Sequence, residues 1–200
     1  SLAMDFHKWL YQPFEAGCAL VKNWSQLNRT YYKKASYLST DVKGDGRFDF
    51  NEHHFQLSRN AKAFKVWMSF KAFGKEKIVS MIEKDIQLTH YLKDTLKAAA
   101  DFETCNEPQL GALCFRYLGN PARQLDEKAI DQLNRDIIPA LEKDGRVFIT
   151  GTLLDNRPVI RACLINHRLQ AQNLDFLVQV IREVGEKINS HDGKTLLATS

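Results

Sequence analysis

Between residues 75 and 100 the apolar residues recur at helical spacing. Ile78, Ile82, Ile86, Thr89, Leu92 and Leu96 form one stripe, while Lys75, Lys77, Glu83, Lys84, Lys93, Asp94 and Lys97 lie largely off it. A stripe that long needs a surface to cover, so it predicts an amphipathic helix that closes a core. The residues after it supply the other layer. Residues 102–105 and 112–117 read as strands around a turn, and residues 146–153 and 158–165 flank Asp155-Asn156-Arg157 as a hairpin. A helix over residues 126–143 carries Ile130, Leu133, Ile137 and Leu141, with Pro139 expected to kink it and Gly145 to end it. A last helix over residues 171–188 turns Leu174, Leu177, Val178, Ile181, Val184 and Ile188 inward. Strands in hairpins beside longer helices predict an α+β layer, a small antiparallel sheet with helices on one face.

Gly74 separates this module from residues 1–73. Leu2-Ala3-Met4 reads as the end of a buried strand, Pro13 and Gly17 punctuate a turn, and residues 18–21 form a second apolar run. Lys8 therefore sits just past a strand end, where side chains project into a site. Desolvation among Phe6, Trp9, Leu10 and Phe14 would disfavour its ammonium form and suit it to forming a Schiff base with an aldehyde. A surface lysine with an apolar stem is the plainer alternative. Residues 24–29 read as a short helical turn or loop. From 30 to 51 the residues are polar, aromatic and glycine-bearing without a period, and a loop of that length tends to be a lid or binding loop. Residues 55–73 read as a helix with its approach, capped by Ser58 or Asn60.

Part of that loop, Asp41-Val42-Lys43-Gly44-Asp45-Gly46-Arg47-Phe48-Asp49-Phe50-Asn51-Glu52, matches a calcium loop at its first, fifth, sixth, ninth and twelfth positions. Lys43 puts a cation at the third ligand position, and no amphipathic helix precedes Asp41, so a glycine-rich turn stands beside calcium binding as a reading. The adjacent His53 and His54 would point apart in an extended chain, facing solvent. Cys18, Cys105, Cys114 and Cys163 show no metal-ligand spacing and read as buried thiols of a reducing, cytoplasmic compartment. No apolar run approaches membrane-spanning length. Residues 1–100 carry 16 Lys and Arg against 10 Asp and Glu, whereas residues 101–200 carry 12 against 14, so the first half favours an anionic ligand. Its charges are scattered without interleaved aromatics, which argues against nucleic acid.

Taken as a string, Asp5-Phe6-His7-Lys8-Trp9-Leu10, with Gln12-Pro13-Phe14-Glu15 and Gly17-Cys18 after it, resembles the cofactor-lysine segment of the pyridoxal-phosphate-dependent group II amino-acid decarboxylases. These include the aromatic-amino-acid, glutamate and diaminobutyrate decarboxylases. Ser58-Arg59 and Ala63-Phe64-Lys65-Val66-Trp67 resemble the segment closing that family's cofactor domain, with departures at Asn60 and Ala61, and Arg59 as a structural or cofactor-proximal arginine. Cys114-Phe115-Arg116 is similar to a structural segment, and Val159-Ile160-Arg161-Ala162-Cys163-Leu164-Ile165-Asn166 to the family's C-terminal strand.

The resemblance implies an α/β fold overall, that of a fold-type I pyridoxal-phosphate-dependent transferase. Residues 1–73 would be the end of its large domain, with a mobile catalytic loop at about 30–52, and residues 74–200 its small α+β C-terminal domain. It implies pyridoxal 5'-phosphate held by Lys8 as an internal aldimine with His7 beside it, and Arg161 on the substrate α-carboxylate. Tyr37, in Ser36-Tyr37-Leu38, would be the general acid that reprotonates carbon after decarboxylation of an L-amino acid; its phenol, with a reference pKa near 10, is protonated at neutral pH. An aldehyde-forming or transaminating relative is the nearest alternative. The family is homodimeric, and residues for the cofactor's ring and phosphate lie upstream in it, so these 200 residues alone are expected to be inactive.

Overall fold

The computed structural model describes residues 1–33 and 49–190. Two units make up the chain, Ser1–Ile78 and Val79–Ser200.

In the first unit, β1 (Leu2–Asp5) pairs antiparallel with β2 (Gly17–Leu20), Leu2 opposite Leu20 and Asp5 opposite Gly17. A one-turn helix, α1 (Phe6–Trp9), leaves the end of β1. Helix α2 (Trp24–Tyr31) starts where the Asn23 side chain accepts the Ser25 N–H. A 3-10 turn, Phe50–His53, is tied to it by Asn28 Nδ2, which donates to Glu52 Oε2 at 3.2 Å. The strand expected to be buried is not: Leu2 and Met4 are exposed. A two-stranded ribbon has two faces and no layer of its own to cover them.

Helix α3 (Lys62–Lys97) is interrupted at Gly74, whose φ of 75° and ψ of 159° lie where a residue with a Cβ is strained. The expected caps do not start it. Lys62 N–H instead bonds the backbone carbonyl of Asn60 at 2.7 Å, a tight main-chain turn in place of a side-chain cap.

The second unit holds a four-stranded antiparallel sheet in the order β3 (Phe102–Thr104), β4 (Ala112–Tyr117), β6 (Arg157–Cys163), β5 (Thr150–Leu154). Asp155 and Asn156, with φ of 50° and 63°, make the two-residue turn between β5 and β6, as a left-handed hairpin turn requires. Helix α4 (Glu127–Asp144) opens with the Asp126 side chain accepting the Ala129 N–H and closes at left-handed Gly145. It runs through Pro139 to Asp144. The helical bond that Pro139 cannot make would go to the Arg135 carbonyl; both residues are exposed, where water can satisfy it.

Because side chains alternate across a strand, Leu113, Phe115, Tyr117, Ile160 and Ala162 face one side, and Cys114, Arg116, Arg161 and Cys163 the other. The first side is the core, completed by Leu92 and Leu96 of α3, Ile137 and Leu141 of α4, and Val178 and Ile181 of α5 (Ala171–Ser190). At Gly185 a Cβ would collide with ring atoms Cε1 and Cδ1 of buried Tyr117, so α5 approaches β4 more closely there than a side chain allows. Gly185→Ala should gain about 1 kcal/mol of helix propensity and lose about 1–3 kcal/mol to overpacking. A net loss in the urea or thermal midpoint is the expected result.

Candidate functional site

Four residues of helix cannot hold themselves, so the turn that carries His7 and Lys8 is fixed by the chain that follows it. Phe6 N–H bonds the Ala16 carbonyl at 2.8 Å, and the Phe6 carbonyl accepts from Leu10 and Gln12 at 3.1 Å each. Ala16 N–H donates to His7 Nδ1 at 3.1 Å, which places the proton of the neutral imidazole on Nε2. The His7 ring also meets Phe14 edge-on at 4.7 Å. Lys8 Nζ donates to Asp5 Oδ2 at 2.6 Å, and that bond holds the Asp5 carboxyl below its usual range. His7 Nε2 lies 4.0 Å from the same oxygen.

The desolvated surroundings expected for Lys8 are not found. Its side chain is 57% exposed and Phe14 is 84% exposed, because Phe14 packs on His7 and the lysine points outward to a carboxylate. The loop after the turn is fastened to the first half of α3. Lys62 Nζ meets Glu15 Oε1 at 2.5 Å, Lys65 Nζ donates to the Pro13 carbonyl at 2.9 Å, and Ser69 Oγ donates to Gln12 Oε1 at 2.9 Å. Sequence reasoning missed Asp5, Gln12 and these three. The detectable signal was the i, i+3, i+7 spacing of Lys62, Lys65 and Ser69 on one helix face.

Tyr37 and residues 41–48 of the calcium-like segment lie outside the described residues. Its last position, Glu52, accepts from Asn28. Neither neighbouring histidine faces solvent freely: His53 meets Trp24 edge-on, and His54 stacks on Phe55 at 4.4 Å with its pKa pushed down, chiefly by burial. Arg59 lies over the Phe50 ring at 5.6 Å. Among the described residues no group of three or more His, Cys, Asp or Glu is placed to hold a metal, and no helix is long and apolar enough to cross a membrane.

In the second unit the two strand arginines part company. Arg116 is fully buried and answered by three carboxylates: Glu127 at 2.6 Å, Asp131 at 2.5 Å and Glu103 at 3.4 Å. Arg157 joins the cluster through Glu103 and Glu127. Arg161, opposite Cys114 and Thr150, is exposed, and among the described residues it has no carboxylate partner. The cysteines are less buried than expected: Cys18, Cys105 and Cys114 are half-buried and Cys163 is exposed, all as free thiols. Burial pushes the Cys105 thiol up to about 11.

Known proteins resemble this chain along nearly its whole length. A family model, the pyridoxal-dependent decarboxylase conserved domain, matches residues 1–118. Aromatic-L-amino-acid decarboxylase of Bacillus atrophaeus is 31% identical over 190 residues, 94% of this chain and 39% of its own length. L-2,4-diaminobutyrate decarboxylase of Rhizobium meliloti is 26% identical over 196 residues, 97% of this chain and 38% of its own. Among solved structures, Oryza sativa TDC with PLP and tryptamine superposes with a TM-score of 0.83 at 21% identity, over 92% of this chain and 38% of that one. Mouse CSAD in apo form gives 0.80 at 22% identity, over 92% and 39%. The chain thus spans less than two-fifths of the length of each of these relatives.

The arginine contrast is testable by folding. Arg116→Ala empties a fully buried site and takes from Asp131 its arginine, while Arg157 still pairs Glu103 and Glu127; it should cost about 3 kcal/mol, whereas Arg161→Ala should stay within about 0.5 kcal/mol. Acid should act through the same cluster. The Arg116 bond holds the Glu127 carboxyl below its usual range, so its contribution is present above the unfolded glutamate value near 4.3 and is lost as pH falls through the lower folded value. Urea midpoints measured from about pH 5 down to about pH 3 should fall, and fall less in Arg116→Met.

Proposed function

This chain belongs to the pyridoxal-dependent decarboxylase family, and on that premise we propose that the whole protein removes the α-carboxylate of an L-amino acid as carbon dioxide, releasing the amine. Lys8 would hold pyridoxal 5'-phosphate, His7 would lie against it, Arg161 would take the substrate carboxylate and Tyr37 would return the proton to carbon. Residues 1–73 form the end of the cofactor domain in this reading and residues 74–200 the C-terminal domain. The protein is a cytoplasmic homodimer, a compartment in keeping with its free thiols.

The observation that carries the proposal is the geometry of the Lys8 turn. A primary amine suits an aldehyde cofactor, and beside it stands an imidazole whose Nε2–H is free of the backbone because Nδ1 is taken by Ala16. That donor set fits the group. When bound, pyridoxal phosphate accepts the electron pair left as carbon dioxide departs.

This chain's own residues do the rest. Lys8 must leave Asp5 to present its nitrogen. His7 can donate Nε2–H to an anionic oxygen without changing tautomer. The exposed Arg161 guanidinium matches a carboxylate bidentately, and no described carboxylate competes for it. A phenol at its reference value is protonated at neutral pH, and Tyr37 would supply one as the acid.

The proposal is tested with the full-length protein against a panel of L-amino acids. Amine should form from at least one of them and be abolished in Lys8→Ala. Tyr37→Phe should lower amine formation by about 10²–10⁴-fold, and Arg161→Ala should raise KM more than it lowers kcat. Aldehyde in place of amine from the wild-type protein would replace this reaction with the aldehyde-forming or transaminating alternative, and full activity in Lys8→Ala would remove the cofactor assignment.

A further inference from the structure

The first half of α3 does not pack like a core helix. Its large apolar side chains Phe64, Trp67, Met68, Phe70 and Phe73 are all exposed, whereas three of its polar side chains are engaged. Lys62, Lys65 and Ser69 each end on the loop that closes the Lys8 turn, on Glu15, Pro13 and Gln12 respectively. The Gln12 contact is the one with a strict geometry. The residue is 5% exposed and its amide is held at both ends: Oε1 accepts from Ser69, whose one hydroxyl proton is shared with the Lys65 carbonyl at 3.0 Å, and Nε2 donates to the Leu10 carbonyl at 2.8 Å. A buried amide matched on both atoms fixes one loop conformation, because any other leaves a polar atom unpaired. That loop in turn holds α1, through Gln12 N–H on the Phe6 carbonyl and Ala16 N–H on His7 Nδ1.

We infer that Ser69 and Gln12 are positioning residues for the Lys8–His7 turn, with the first half of α3 acting as its splint. This rests on Lys8 being the cofactor lysine. Ser69 acts through Gln12, and Gln12 through the backbone of Phe6 and Leu10. Loosening this strap lets the amine and the imidazole wander from one productive geometry while the rest of the unit stays folded. Reaction rates are sensitive to displacements of that size.

The test uses full-length protein with Ser69→Ala, Ser69→Thr and Gln12→Leu. In the cofactor-free protein, Ser69→Ala should speed hydrogen exchange at the amides of Phe6, Leu10 and Gln12 by about tenfold and leave the β4 and β6 amides unchanged. In the loaded protein, kcat should fall about tenfold with KM for the amino acid unchanged, and the visible circular dichroism of the bound cofactor should weaken. Ser69→Thr, which keeps the hydroxyl, should restore both. Gln12→Leu should reproduce Ser69→Ala; if either variant fails to fold, Lys65→Met loosens the same loop and carries the test. Unchanged exchange and unchanged cofactor dichroism in Ser69→Ala would overturn the inference, as would a Ser69→Thr as impaired as Ser69→Ala. A visible cofactor band that survives Lys8→Ala in the wild-type background would instead remove the assignment of Lys8.

Discussion

A reactive side chain on a four-residue helix borrows its rigidity from elsewhere, since one turn of helix costs more order than its own hydrogen bonds return. Here the loan comes from Ala16. Its N–H is taken by His7 and its carbonyl by Phe6, so the residue just before β2 closes the turn that began at the end of β1. The β1–β2 pairing sets this up by bringing Asp5 opposite Gly17, where no side chain crowds the carboxylate that receives Lys8. Sheet register, loop closure and imidazole tautomer are thus one arrangement.

The second unit solves a different problem with the same residue type. Arg116 lies at a position where no water reaches, and three carboxylates surround it, so its role is to join β3, β4 and α4. Arg161 sits across the sheet ladder on the same side of β6, exposed and free of any described carboxylate. Burial with both terminal guanidinium nitrogens paired to carboxylates marks a structural cation; exposure without a carboxylate leaves a fork able to take a ligand carboxylate.

Much of the second unit could be read from periodicity. The α4 and α5 stripes, the β4 bounds and the left-handed hairpin at Asp155-Asn156 follow from residues whose partners are near in sequence or share a face. What escaped depends on contacts that no local pattern encodes. The Lys8 surroundings were misjudged because an apolar neighbour in sequence, Phe14, turned to His7 and left the lysine to Asp5. Gln12 gave no signal, since its importance lies in Ser69, which is 57 residues away. The caps assigned to Ser58 and Asn60 failed because a backbone carbonyl did the work. Family resemblance suggested the chemistry proposed for Lys8, and the structure supplied the reason that this turn can hold still.

The most direct test of the central claim is covalent. Full-length protein loaded with pyridoxal phosphate is reduced with borohydride, digested, and the modified peptide sequenced by mass spectrometry. A single pyridoxyl group on the ε-nitrogen of Lys8 is the predicted result; a group on any other lysine, or none, would contradict the account.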